Sequence, residues 1–185
     1  MDWIEALFIC IKYSTGFGDS FILTGMEEKF RNFIKVTKIL NKKGIVPVLY
    51  GSLGLYQIIG ERGSVNDIDF LIPEVWLEEK WHEFKKYLES HQFRMDDEHE
   101  HEFSHPNIGG WIAFGSIEES RTYSGLKVEE LTSVIFDGAN YLTLNADQFL
   151  ASYKKSLEDS YRQNKKNKTD VEKIKAIEEH IKNLN

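Results

Sequence analysis

Two short segments constrain this chain more than any other feature. The first is an apolar run ending in Leu49-Tyr50, turned by Gly51-Ser52 into Leu53-Gly54-Leu55; the second is Asn66-Asp67-Ile68-Asp69, leading into Phe70-Leu71-Ile72. Side chains alternate along a strand, so Asp67 and Asp69 point the same way and can share a divalent metal. A glycine-serine turn lets phosphate oxygens approach the backbone, and a helix that starts there offers its positive N-terminal end. Together the segments predict metal-dependent nucleotide chemistry.

The flanking pattern supplies the elements. Phe30, Phe33, Ile34, Ile39 and Leu40 stripe a helix over 27–43, stopped at Gly44. A strand is expected over Ile45 to Tyr50, with Pro47 at its start or edge. A short helix follows over Leu53 to Ile59, then a loop from Gly60 to Asn66 and a strand over Asp67 to Ile72. Leu77, Trp81, Phe84 and Leu88 predict one helix from Glu74 to His91. Strands are expected at Glu98 to Phe103, Trp111 to Ile117, Leu131 to Phe136 and Tyr141 to Leu144, with turns at Pro106-Asn107, Gly109-Gly110 and Gly125. Asn145 with Gln148 reads as a capping box for a helix bearing Phe149, Leu150, Tyr153 and Leu157. Thr169 to Glu172 reads as a second box, opening a helix with Val171, Ile174, Ile177 and Ile181 inward. This order predicts an α/β (α+β) mixed sheet flanked by helices, with a C-terminal helical pair. Residues 1–25 read as an N-terminal extension, helical through Ile4, Leu7, Phe8 and Ile11. The main domain spans 26–144, and 145–185 form a helical tail packed on it.

Composition narrows the function classes. A formal charge of −7 argues against broad nucleic-acid binding. The single cysteine, Cys10, excludes an intrachain disulfide framework and is in keeping with a reducing cytoplasm. No apolar run is long enough for a membrane span, and the N-terminal segment makes a poor signal peptide.

The quoted residues carry a family resemblance. Leu49-Tyr50-Gly51-Ser52 followed by Asn66-Asp67-Ile68-Asp69-Phe70 resembles the nucleotidyltransferase superfamily over Ile45 to Pro73. Gly51 and Asp67 are 16 positions apart, a longer spacing that is similar to the lincosamide-nucleotidyltransferase and abortive-infection-toxin branches. The resemblance implies a nucleotidyltransferase-like fold and transfer of a nucleoside monophosphate from an NTP to a hydroxyl of a small molecule or a protein, with pyrophosphate released. It implies Asp67 and Asp69 as catalytic ligands of Mg²⁺ or Mn²⁺, with Gly51 and Ser52 on the phosphates. It also implies a third acid on a later strand. The corresponding segment, Phe114-Gly115-Ser116-Ile117, has none, leaving Glu118, Glu119, Glu100 and Glu102 as substitutes.

The run Asp96 to Glu102 is the other conspicuous cluster. As a strand from Glu98 it would set His99, His101 and Phe103 on one face, making the two histidines an auxiliary metal, phosphate or base site. Asp96 and Asp97 read instead as a charged, pairing-resistant edge. Lys154, Lys155, Arg162, Lys165, Lys166 and Lys168 read as a solvated basic face, or as anion contacts. Trp76, Trp81 and Trp111 read as core, as do Tyr153 and Tyr161. Three functional readings follow: an active transferase, a catalytically degenerate nucleotide-binding or protein-interaction module of the same fold, and one half of a toxin–antitoxin pair.

Overall fold

The computed structural model describes residues 25–60, 63–158 and 167–184. The helical pattern expected over Ile4 to Ile11 lies outside them, as do Arg162, Lys165 and Lys166. Helix α1 (Gly25–Lys42) leads to strand β1 (Val48–Leu49), helix α2 (Gly51–Ile59) and strand β2 (Ile68–Ile72). After a 3₁₀ turn at Glu74–Trp76 come α3 (Trp81–Ser90), β3 (Arg94–Asp97), β4 (Glu102–His105), β5 (Ile108–Ser116) and α4 (Ile117–Ser124). Strands β6 (Thr132–Phe136) and β7 (Ala139–Thr143) precede α5 (Ala146–Glu158) and α6 (Asn167–Leu184).

The strands form one mixed sheet in the order β3-β4-β5-β2-β1-β7-β6. Strand β2 runs antiparallel to β1 and parallel to β5, pairing Ile68 with Ile112 and Asp69 with Ala113. Alternation then divides the sheet residues between two faces. Ile68, Phe70 and Ile72 of β2 join Ile112, Phe114 and Phe103 under α1 and α3 in one apolar cluster. Its centre is aromatic: Phe33 stacks on Phe70 at 4.8 Å, Phe70 on Phe114 at 5.4 Å, and Phe84 meets Phe114 edge-on at 5.2 Å. The opposite face carries Val48 and Leu71, covered by Leu55, Phe149 and Ile177 from α2, α5 and α6.

Several expectations change for physical reasons. β1 is shorter than Ile45 to Tyr50, because the Ile45 N–H returns to Leu40 O (3.0 Å) to close α1, and Pro47 has no N–H to donate. The segment from Glu74 is broken before Trp81. Trp76 and Trp81 both pack on Phe84, at 6.2 and 6.3 Å, and residues five apart cannot share one face of a continuous helix. The expected strand Glu98 to Phe103 is a hairpin turn followed by β4. Asp97 Oδ1 accepts the N–H groups of His99 (2.8 Å) and Glu100 (3.1 Å), and His101 has φ of 49°. Asp96 and Asp97 do lie on the edge strand, β3.

Gly109 and Gly110 sit within β5 rather than in a turn. Pairings of His105 with Ile108 and Phe103 with Ile112 enclose a bulge. Gly110 is required there: its φ is 87°, and a Cβ would lie 2.0 Å from Lys29 Nζ. Trp111 is not core but 54% exposed. Its neighbour Ile112 enters the aromatic cluster, which turns the indole to the other face. The Asn145–Gln148 box forms reciprocally, at 3.0 and 2.9 Å. Helix α6, however, starts at Asn167, so Thr169 does not cap it. Asp170 instead lies buried in the first turn, where its Oδ2 accepts from Ser156 Oγ at 3.2 Å.

Candidate functional site

The site forms where α2, α5 and α6 stop covering the second face. Among the described residues they shield β1 and β7, and leave the face open over β2, β5 and β4. Asp69 stands at that boundary, and Asp67 precedes β2 at a bend, near the Lys29 ammonium. The backbone N–H of Tyr50 donates to Asp69 O at 3.2 Å, bringing the end of β1 against β2. Gly51 then turns the chain with φ of 63°, and a Cβ on it would lie 1.8 Å from Asp69 Oδ2. The carboxylate therefore occupies the space that a side chain at position 51 would need. Helix α2 begins at this point, with no acid in its first turn, and its N-cap residue Tyr50 makes no side-chain capping bond.

Helices α5 and α6 add a polar layer. The Tyr50 hydroxyl is hydrogen-bonded to Ser152 Oγ. Tyr153 bonds the Ser52 side chain; burial first, then the nearby Tyr50 and Asp69, pushes its phenol far above the ordinary value. Lys173 Nζ donates to Ser52 Oγ at 2.8 Å and lies 5.0 Å from the Tyr153 ring centre. On the other side of the acid pair, Lys29 Nζ donates to Asn66 O (2.6 Å) and Gly109 O (2.7 Å). Burial lowers the Lys29 ammonium pKa, with Asp67 opposing the shift.

A cleft of about 850 Å³ opens beside Asp69, reaching Tyr50, Ala113 to Ser116, Tyr123 and Ser156. Among the described residues its acids are Asp69, Glu74, Glu100, Glu118 and Glu119, against one lysine, Lys155, which is paired with Glu158 at 2.8 Å. So acidic a cleft opposes a bare polyanion and suits one that arrives with divalent cations.

The expected residues divide. Asp69, Gly51 and Ser52 converge. Glu118 shares the cleft, but its Oε2 accepts the Glu74 N–H (2.8 Å) at the far end of β5. Ala113 occupies the position beside Asp69 on β5, and the next residue in that row is Glu102 of β4. Among the described residues, no three Asp, Glu, His or Cys side chains are grouped to hold a metal. The paired histidine face does not form: His99 lies in the hairpin turn, and His101 packs edge-on against Trp81 at 4.6 Å. Lys173 escaped the sequence reading. Its signal is the spacing Asp170, Lys173, Ile177, a helical stripe that starts with two charges and ends in a buried isoleucine.

Comparisons with known proteins bear on the fold. No family model matches the chain. It is 42% identical over 155 residues to the uncharacterized protein YnaI of Bacillus subtilis (strain 168), covering 83% of this chain and 98% of that protein. Among solved structures it is similar to an antigenic nucleotidyltransferase-like protein from Paracoccidioides brasiliensis, with TM-score 0.52 and 14% identity over 84% of this chain and 77% of the other. It is also similar to the antibiotic-resistance factor ANT(2'')-Ia, with TM-score 0.54 and 10% identity over 85% and 86%. The lincosamide antibiotic adenylyltransferase LnuA, solved with lincomycin bound, gives TM-score 0.50 and 12% identity over 80% and 96%.

Proposed function

The chain belongs to the family of YnaI and has the nucleotidyltransferase fold, and on that premise we propose that it is a divalent-metal-dependent nucleotidyltransferase. It moves a nucleoside monophosphate from a nucleoside triphosphate to a hydroxyl acceptor. The observation that carries the reading is the seating of the Asp69 carboxylate against Gly51, at the N-terminus of α2. A metal-binding acid and a phosphate-binding turn are thereby held at contact distance.

Asp67 and Asp69 are the metal ligands in this reading. Their donor set fits Mg²⁺ or Mn²⁺: hard carboxylate oxygens, few in number, leaving room for waters and substrate phosphates. When bound, the metal supplies charge neutralisation on the triphosphate and activation of the acceptor oxygen. The protein's own groups position the reactants. The N–H groups of Gly51 and Ser52 take phosphate oxygens at the positive end of α2. Lys173 adds a cation beside Ser52 at that same end of α2. We assign it to the outgoing pyrophosphate. The acceptor oxygen bonds to the α-phosphorus as the bond to pyrophosphate breaks, and the hydroxyl proton leaves to water.

Ala113 at the third-acid position supports a second reading, a nucleotide-binding module without turnover. One experiment separates the two: calorimetry with ATP and Mg²⁺, followed by pyrophosphate release on adding hydroxylated acceptors, lincomycin included. Asp69→Asn should lower release by roughly a thousandfold, about 4 kcal/mol of transition-state stabilisation, with little change in melting temperature. Undiminished release in that variant would sink the assignment. Binding without release in the native chain would establish the module.

A further inference from the structure

The two acids of the pair are held in different ways. Asp69 lies inside β2, where pairing with Ala113 of β5 fixes its place in the ladder. Asp67 stands in the bend just before β2, and among the described strand pairings none includes it. Its direction therefore depends on what holds the bend. Lys29, in the second turn of α1, does so: its ammonium donates to the Asn66 carbonyl at 2.6 Å and to the Gly109 carbonyl at 2.7 Å. Three segments far apart in sequence meet at this nitrogen: the helix, the bend and the bulge of β5. The bulge is shaped to admit it. A Cβ on Gly110 would lie 2.0 Å from Lys29 Nζ and 2.5 Å from Asn66 O, and the φ of 87° there suits glycine. Two charge-assisted bonds to carbonyls make Lys29 a fixed post rather than a mobile surface charge. Asp67 lies close enough for its charge to act on that ammonium.

We propose that Lys29 is the positioning residue for Asp67: by fixing the Asn66 carbonyl it sets the direction of the next carboxylate, and with it the metal affinity of the acid pair. This rests on the transferase reading above, in which Asp67 and Asp69 are the metal ligands. Lys29 touches neither metal nor substrate and acts through the backbone of the bend. Groups that orient metal ligands in this way change metal affinity by about tenfold to a hundredfold. Charge alone predicts the opposite sign. A cation beside two carboxylates competes with a divalent ion, so its removal would tighten metal binding.

Titration of Mn²⁺ into the full chain, followed by the electron paramagnetic resonance of the free ion, tests this with and without α,β-methylene ATP. Lys29→Met should weaken Mn²⁺ binding about tenfold. Lys29→Arg keeps the charge and can still donate to two carbonyls, and should restore most of the loss. Gly110→Ala crowds the ammonium while leaving it in place, should also weaken binding, and answers for the clamp if Lys29→Met does not fold. In an Asp67→Asn background, read with the nucleotide analogue present, Lys29→Met should have no further effect; a merely structural tie would weaken both backgrounds alike. Unchanged or tighter binding in the Lys29→Met and Gly110→Ala proteins overturns the proposal, as does an equal loss in the Asp67→Asn background. Failure of the transferase reading looks different. The native chain would then bind no Mn²⁺, or would bind it equally after Asp67→Asn and Asp69→Asn, and either result overturns both.

Discussion

The two faces of the sheet differ in how completely they are covered. Under α1 and α3, Phe33, Phe70, Phe84 and Phe114 make a closed aromatic layer with no exposure above a few per cent. The opposite face is sealed over β1 by Leu55, Phe149 and Ile177, and is then left open over β2 and β5. Adjacent residues of one strand serve both: Phe70 anchors the closed face, and Asp69 lines the open cleft. The closed face supplies stability, and that leaves the open face able to hold carboxylates which contribute little to folding.

The largest expected effect tests that division at Phe70. Phe70→Ala should cost about 3–5 kcal/mol, the range for emptying a fully buried aromatic site, measured by urea unfolding. Activity should be lost only as the protein unfolds. A stable Phe70→Ala protein without activity would break the comparison.

Gly51 sharpens it, because it touches both properties. Gly51→Ala adds a Cβ that would lie 1.8 Å from the Asp69 carboxylate, at φ of 63°. We expect about 1–3 kcal/mol of strain and, with the carboxylate displaced, roughly a hundredfold lower pyrophosphate release, about 2.7 kcal/mol. Gly60→Ala is the control: its φ is 70°, with open space around it, so only the backbone strain should appear. Similar activity in the two variants would remove Gly51 from the site. The smallest effect is at Lys173. Lys173→Met should raise the KM for ATP about tenfold, or 1.4 kcal/mol, with melting little changed. A fall in stability with unchanged KM would make Lys173 a structural tie between α6 and α2.

Much of this was legible before folding was considered. The strand around Asp69, the turn at Gly51, the C-terminal helices and the Asn145 box all rest on interactions within a few residues, so local spacing reports them. The failures share a different cause. His99 and His101 look like alternating strand residues, but Asp97 captures two backbone N–H groups and turns the chain there. Trp111 looks like core by its chemistry, and is exposed because, among the described residues, no helix covers that part of the face. Its neighbour's place in the aromatic cluster decided which way it points.

By itself, the sequence determined the local chemistry. Two acids stand one residue apart where a strand begins, a glycine precedes a helix that can start on a phosphate, and the −7 charge disfavours polyanionic partners. The tertiary structure alone decided which distant residues complete the site. It set Ala113 rather than an acid beside Asp69, put Glu102 one strand further along the row, and brought Lys173 to Ser52 across 121 residues. Neighbours across strands and between helices follow from register, bulges and packing. Those depend on how the whole apolar surface is buried, and spacing along the chain does not record them.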